Sequence, residues 1–327
     1  MSYRASTLDG MPDDNEILVS AADLRKSYGD HEAVRGVDFE IRRGEAFGFL
    51  GANGAGKSTT MRMIGCVSQP TGGSLQVFGR DPHTQGAAIR ARLGVVPQDN
   101  TLDGMLTVFE NLVVYAGYFG IKKKAAREKA AELLEFVQLT PRAKDQVSDL
   151  SGGMQRRLAI ARSLINDPEL VILDEPTTGL DPQARHLVWE RLFQLKHRGV
   201  SILLTTHYMD EAEQLCDRLV VMDEGRIIAS GSPRELIDTH VTKEVVELRF
   251  GTAHTAELAA LAHTLDGVGA QIEPLPDKIL VYTDDADDTG AALEARDIRP
   301  SSVLARRATL EDVFLRLTGR ALVEDEA

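Results

Sequence analysis

Residues 51–59 read GANGAGKST, directly behind the apolar run FGFL at 47–50. A tight turn needs one glycine or two. This stretch has Gly51, Gly54 and Gly56, then Lys57, Ser58 and Thr59. Gly51, Gly56, Lys57 and Ser58 satisfy the spacing G-x-x-x-x-G-K-[ST], with a strand pattern before it and the helical run MRMIGCV behind it. Glycines let the backbone wrap a phosphate chain so that successive N–H groups, Asn53 and Gly54 among them, point inward as an anion nest. The following helix aims its positive end at the same anion. Lys57 reaches the terminal phosphates and the Ser58 hydroxyl suits Mg²⁺. A plain strand-to-helix turn leaves the lysine and the hydroxyl pair unexplained, so the stretch predicts a nucleoside triphosphate site.

A metal-bound triphosphate calls for carboxylates. They stand at the end of VILDE (171–175), an apolar run that reads, like SILLTTH (201–207), as a buried parallel strand. Helical stretches with Trp189, Leu192 and Leu195 lie between the two runs, which argues for an α/β core. Adjacent strand residues face opposite ways, but Pro176 ends the strand, so Asp174 and Glu175 are both expected to turn toward the phosphates. Asp174 is read as a Mg²⁺ partner through water, and Glu175 as the general base for the attacking water. His207 closes the next strand, where a neutral imidazole can contact a γ-phosphate. Zinc is the poorer reading, because HYMDE is not H-E-x-x-H.

Length and composition fit a large domain plus a smaller one: 327 residues, 43% hydrophobic and 27% charged. A net charge of −13 disfavours a nucleic-acid surface, so no nucleic acid is expected as partner. Cys66 and Cys216 suggest free thiols in a reducing compartment rather than a disulfide framework. The longest apolar stretch, LVVYAGYFGI at 112–121, is too short to span a bilayer, and the first residues lack a secretory core. The organisation reads as a polar tail at 1–15, a core at 16–238 whose opening β runs are broken by Gly29, Gly36 and Gly44, a helical part at about 99–165, a small α+β domain at 241–320, and an acidic tail at 321–327. In the small domain Thr309 with Asp312 forms a capping-box start and Gly319 suits the helix end. KKKAAREK at 122–129 is most simply a solvated helix face, with a permease or lipid contact as the sharper alternative.

LSGGMQRRLAIARSLIN (150–166) decides which kind of P-loop protein this is. Ser151, Gly152 and Gly153 present N–H groups and a hydroxyl at a helix start, a second anion surface. The helix carries Leu158, Ala161, Leu164 and Ile165 as its apolar stripe, and Asn166-Asp167-Pro168 stops it.

GANGAGKST, VVPQ, LSGGMQRR, LVILDEPTTGLDP and TTH, in this order, resemble the ATPase subunit of ABC transporters over roughly 16–238. The resemblance implies a P-loop core with an antiparallel β subdomain and an α-helical subdomain. It also implies head-to-tail pairing of two copies, with LSGG of one covering the γ-phosphate on the P-loop of the other, and so two composite ATP sites. Gln98 then matches the glutamine that senses Mg²⁺ and couples to the membrane partner. Asp181 matches the aspartate communicating across the dimer, and Tyr28 the aromatic that stacks on adenine, without excluding GTP; a packing aromatic is the alternative for Tyr28. Met154 stands where many members carry glutamine. LGVVPQDNTLDGMLTVFENL, LTTHYMDEAEQLCDRL and TLEDVFLRLTGR are similar to the exporter group of daunorubicin-resistance and nodulation-factor ATPases. That implies ATP and Mg²⁺ as cofactors, a separate ABC-2-type permease, and a place on the cytoplasmic face of the membrane. A soluble ABC protein on ribosomes or DNA is the alternative. Translation-type members carry two cassettes and repair-type members long coiled-coil insertions, and this chain has neither.

Overall fold

The computed structural model describes residues 16–251 and 255–319, so the tails expected at 1–15 and 321–327 lie outside the described residues. Chain packing forms two compact units that meet in sequence at Ser230 and Gly231.

The first unit opens with β1 (Ile17–Tyr28), β2 (His31–Arg42) and β3 (Ala46–Leu50), followed by α1 (Lys57–Ile64), β4 (Gly72–Val77), α2 (Gly86–Arg90) and β5 (Leu93–Val96). A helical stretch follows: α3 (Val108–Tyr118), α4 (Lys123–Phe136) and α5 (Gly152–Ser163). Then strands and helices alternate as β6 (Leu170–Asp174), α6 (Pro182–His197), β7 (Ser201–Thr206), α7 (Met209–Leu215), β8 (Arg218–Asp223) and β9 (Arg226–Gly231). Strands β2-β1-β4 make an antiparallel sheet, and β5-β6-β7-β3-β8-β9 a second one whose first five strands run parallel. Phe39, Phe47 and Phe49 sit in the core between them, with the Phe39 and Phe49 rings edge-to-face at 5.1 Å.

The sequence predicts a break at Gly36, and the structure corrects it. Gly36 lies inside the continuous β2 at φ +74°, beside a register shift where Asp23 of β1 also takes a positive φ. A side chain there would meet Asp23 Oδ1 at 2.5 Å, so the glycine makes a bulge rather than an end. In α4, Ala126 and Ala130 are buried while the lysines at 122–124 are exposed, as a solvated face requires.

Parallel register places the chemistry. Leu50 of β3 pairs with Thr206 of β7, Asp174 of β6 with Thr205, and Val96 of β5 with Leu173. The segments that leave these strands therefore emerge side by side at their carboxyl ends, where ligands of open α/β sheets bind. They are the glycine loop, Glu175, His207 and Gln98.

The second unit has α8 (Pro233–His240), β10 (Glu244–Arg249), α9 (Thr255–Thr264), β11 (Gln271–Pro274), β12 (Ile279–Thr283), α10 (Ala286–Ala295), β13 (Ser302–Arg307) and α11 (Leu310–Thr318). Its sheet runs β11-β12-β10-β13 in antiparallel pairs over a core of Val246, Leu248, Leu258, Ile279, Val281 and Leu293. The expected start of α11 forms: Thr309 and Asp312 cap reciprocally, and Gly319 ends the helix at φ +68°. Asp312, 1% exposed, also accepts both arms of the Arg306 guanidinium at 2.7 and 2.9 Å. Asp312→Ala removes the cap and leaves that guanidinium short of its anion, an expected loss of about 3 kcal/mol in a urea melt of the whole chain. Glu311→Ala, one residue away and exposed, is expected to change it by less than about 0.5 kcal/mol.

Candidate functional site

The glycine loop owes its shape to two different constraints. Gly51 has no room for a side chain, since a Cβ would lie 2.3 Å from the Met222 carbonyl of β8. Gly54 and Gly56 instead supply left-handed backbone, at φ +82° and +101°. Gly56 is also the N-cap of α1, and no side chain caps that helix. Every helix start leaves orphan N–H groups. Thr107 and Ser232 satisfy theirs at α3 and α8. At α1 the donors face a cleft of about 400 Å³ lined by the loop 53–59, Tyr28, His31, Ala33, Gln98 and Glu175. The cradle fits an anionic phosphate chain.

Lys57 is buried and donates to the Gly51 and Ala52 carbonyls at 2.7 and 3.0 Å, with Glu175 Oε1 3.7 Å from its Nζ. Burial pulls its pKa down, against the pull of Glu175 and Asp174. Ser58 donates to Asp174 Oδ1 at 3.0 Å, and Thr205 Oγ1 donates to the same oxygen at 2.5 Å. Hydroxyl, amide and carboxylate oxygens of Ser58, Gln98 and Asp174 are the hard donor set that Mg²⁺ takes.

Glu175 is buried and receives Gln98 Nε2 and Thr178 Oγ1, each at 3.2 Å, on Oε2. Its other oxygen faces Lys57 and lies 3.4 Å from His207 Nδ1, a nitrogen without an aligned hydrogen bond. Burial works to raise its pKa. His207, Lys57 and Thr178 outweigh burial and hold the carboxyl below its ordinary value, hence ionised at neutral pH. Pro176 is only part of the reason that Asp174 and Glu175 both reach the cleft. Glu175 itself sits at φ +46°, a left-handed turn that undoes strand alternation, and its N–H is held by Thr205 Oγ1 at 3.0 Å. Tyr28 stands at the rim, 48% exposed, with Lys26 Nζ 4.9 Å from its ring centroid.

Ser151, Gly152, Gly153 and Asp181 do not line this cleft. Ser151 caps α5, its hydroxyl accepting from Met154 N at 3.4 Å, so the hydroxyl is partly engaged rather than free. Gly153 lies against α6, where a side chain would meet Ala184 Cβ at 2.7 Å. Asp181 caps α6 through Ala184 N at 2.9 Å. The glycine loop and the Ser151–Gly153 helix start of one chain thus belong to separate surfaces.

Sequence reasoning missed several residues. His31 lines the cleft beside Tyr28. Glu211, buried, accepts from Thr177 Oγ1 at 2.8 Å and Trp189 Nε1 at 3.1 Å, and burial pushes its pKa up. Arg156, within QRR, donates to the backbone carbonyls of Asp174, Glu175, Pro176 and Pro97, and its burial lowers its pKa to about 10.

A family model described as ABC transporter matches residues 34–178, and one described as Nodulation factor export protein NodI, C-terminal domain, matches residues 257–319. The Nod factor export ATP-binding protein I of Cupriavidus metallidurans is 47% identical over 306 residues, covering 93% of this chain and 98% of that protein. The protein of the same name from Paraburkholderia xenovorans is 47% identical over 311 residues, covering 94% and 99%. A solved dimeric ATP-binding cassette in a post-hydrolysis state with ADP and Pi superposes at TM-score 0.61 with 28% identity, covering 65% of this chain and 98% of that one. A subunit of an ABC transporter complex from Clostridium perfringens superposes at TM-score 0.64 with 29% identity, covering 69% and 92%.

Proposed function

The chain belongs to the ABC transporter family, as an ATP-binding, ATP-hydrolysing subunit that powers a membrane exporter, and from that premise we propose how it works. Two copies pair head to tail, so that Ser151, Gly152 and Gly153 of each cover the γ-phosphate held by the other's loop. Asp181 lies at the seam, and Tyr28 stacks on adenine. The partner is an ABC-2-type permease on a separate chain, which places the ATPase at the cytoplasmic face of the membrane. The cargo is of drug, lipid or glycolipid class, and relatives named for Nod factor export favour the glycolipid. Among the described residues no helix is long and apolar enough to cross a membrane.

One observation carries the hydrolytic part: strand register brings the glycine loop, Glu175 and His207 to one edge. The Glu175 carboxylate takes the proton of the attacking water, and His207 contacts the γ-phosphate. An arriving phosphate anion opposes the ionisation of Glu175 and raises its pKa, the direction that improves a base. Ser58 and Gln98, with Asp174 behind, would hold Mg²⁺, and the ion would supply charge neutralisation of the phosphate oxygens. ATP contacts both surfaces only in the closed pair, so differential affinity drives closure.

Next to Gln98 lies a groove of about 470 Å³ where apolar Val95, Leu106, Val114 and Tyr118 meet polar Asp103 and Arg162. Tyr118 and nearby Met105 are 80% and 87% exposed. An amphipathic segment of the permease, apolar toward Val114 and Tyr118 and polar toward Asp103 and Arg162, is the occupant such a surface fits. The test is purification of the tagged chain from native membranes in mild detergent, with mass spectrometry of what accompanies it. A stoichiometric polytopic membrane protein is expected. Ribosomal or DNA-associated partners without one would overturn the exporter reading.

A further inference from the structure

We propose that Arg156 is a positioning residue for the catalytic base: its guanidinium holds the left-handed backbone turn that aims Glu175 into the cleft. The proposal rests on Glu175 being that base. Arg156 Nε donates to the Pro176 carbonyl at 2.8 Å, Nη1 to Pro97 at 2.5 Å, and Nη2 to Asp174 at 2.7 Å and Glu175 at 2.9 Å. Successive carbonyls of an extended strand point to opposite sides and cannot converge on one group. Here three in a row do, because Glu175 is at φ +46°. The guanidinium collects them at the bend, and the planar fork matches several acceptors at once, as a lysine's single ammonium does not. The same fork reaches Pro97, the residue before Gln98, so two elements flanking the γ-phosphate position hang on one side chain.

Arg156 does not line the cleft. It projects from α5, five residues beyond Ser151. The helix start assigned to the partner's phosphate and the backbone of this chain's base are thereby fixed to a single element. The neighbouring Arg157 goes elsewhere, to the Val137 carbonyl at 2.9 Å, so the role belongs to one arginine of the pair.

The experiment compares wild type, Arg156→Lys, Glu175→Gln and the double variant in single-turnover and steady-state ATP hydrolysis, with ATP affinity by calorimetry and thermal midpoints alongside. Misplacing a reacting group by about 1 Å costs up to ~10²-fold. We expect kcat of Arg156→Lys to fall about 10- to 100-fold with KM and ATP affinity within about twofold, and no further loss on adding it to Glu175→Gln. Arg156→Gln, which keeps two N–H donors, serves the same comparison where the lysine variant does not fold. A kcat within about twofold of wild type, or an equal loss in the Glu175→Gln background, overturns the positioning role. Wild-type turnover by Glu175→Gln instead sinks the base assignment, and this proposal with it.

Discussion

Glu175→Gln is expected to bind ATP as tightly as wild type or tighter, and to lose turnover by ~10²–10⁴-fold, the usual worth of a general base. That range corresponds to about 3–5 kcal/mol of transition-state stabilisation. The substitution is unusually clean here. A glutamine at φ +46° bears the same backbone strain as the glutamate, and it keeps the shape that Gln98 and Thr178 pack against. What it removes is one negative charge and the ability to take a proton. Losing that charge beside a polyanion favours nucleotide binding, while Lys57 keeps its anchorage on the Gly51 and Ala52 carbonyls. Binding and hydrolysis must therefore part company. Phosphate release measured beside an ATP titration decides it: unchanged turnover would mean that another group takes the proton, and lost affinity would mean that Glu175 holds the loop rather than the water.

The glycine loop, the carboxylate strand and the TTH strand were legible because each is a local pattern: an apolar run that ends in polar residues. Their assembly follows from strand pairing, which sequence alone implies only by the parallel α/β reading. The cap of α11 was legible for the same local reason, since Thr309 and Asp312 lie three residues apart. What escaped was non-local or conformational. The left-handed turn at Glu175 has no compositional mark, as glutamate is not a residue that favours positive φ. Arg156 bonds backbone atoms 18 to 59 positions away, and no spacing rule reaches that far. Gly36 looked like a strand break because glycine usually is one; only the opposing Asp23 shows it to be a bulge. Short β11, QIEP, offers too few residues for alternation to register. Asp181 has two readings that coexist: the resemblance assigns it to the dimer seam, and the structure makes it the cap of α6.

Ser151→Arg separates a shared site from a site complete in one chain. Ser151 is exposed and outside the cleft that holds Lys57, so a single chain should take up ATP with unchanged affinity. Loss of the α5 cap costs about 1 kcal/mol of stability, and Ser151→Ala costs the same without adding bulk. The arginine differs by filling the space in front of the Gly152 and Gly153 N–H groups, which must come within about 3 Å of a phosphate oxygen to bond it. Its positive charge gives no rescue, since a phosphate held on the arginine stands too far from the helix start for closure. In the Glu175→Gln background, where bound ATP persists, light scattering should show an ATP-dependent dimer. Adding Ser151→Ala should retain that dimer and adding Ser151→Arg should abolish it, with turnover of the Ser151→Arg single variant falling by two orders of magnitude or more, to about the level of unassisted chains. A dimer formed normally by the arginine variant would place the γ-phosphate's second surface elsewhere, and the head-to-tail arrangement would fail with it.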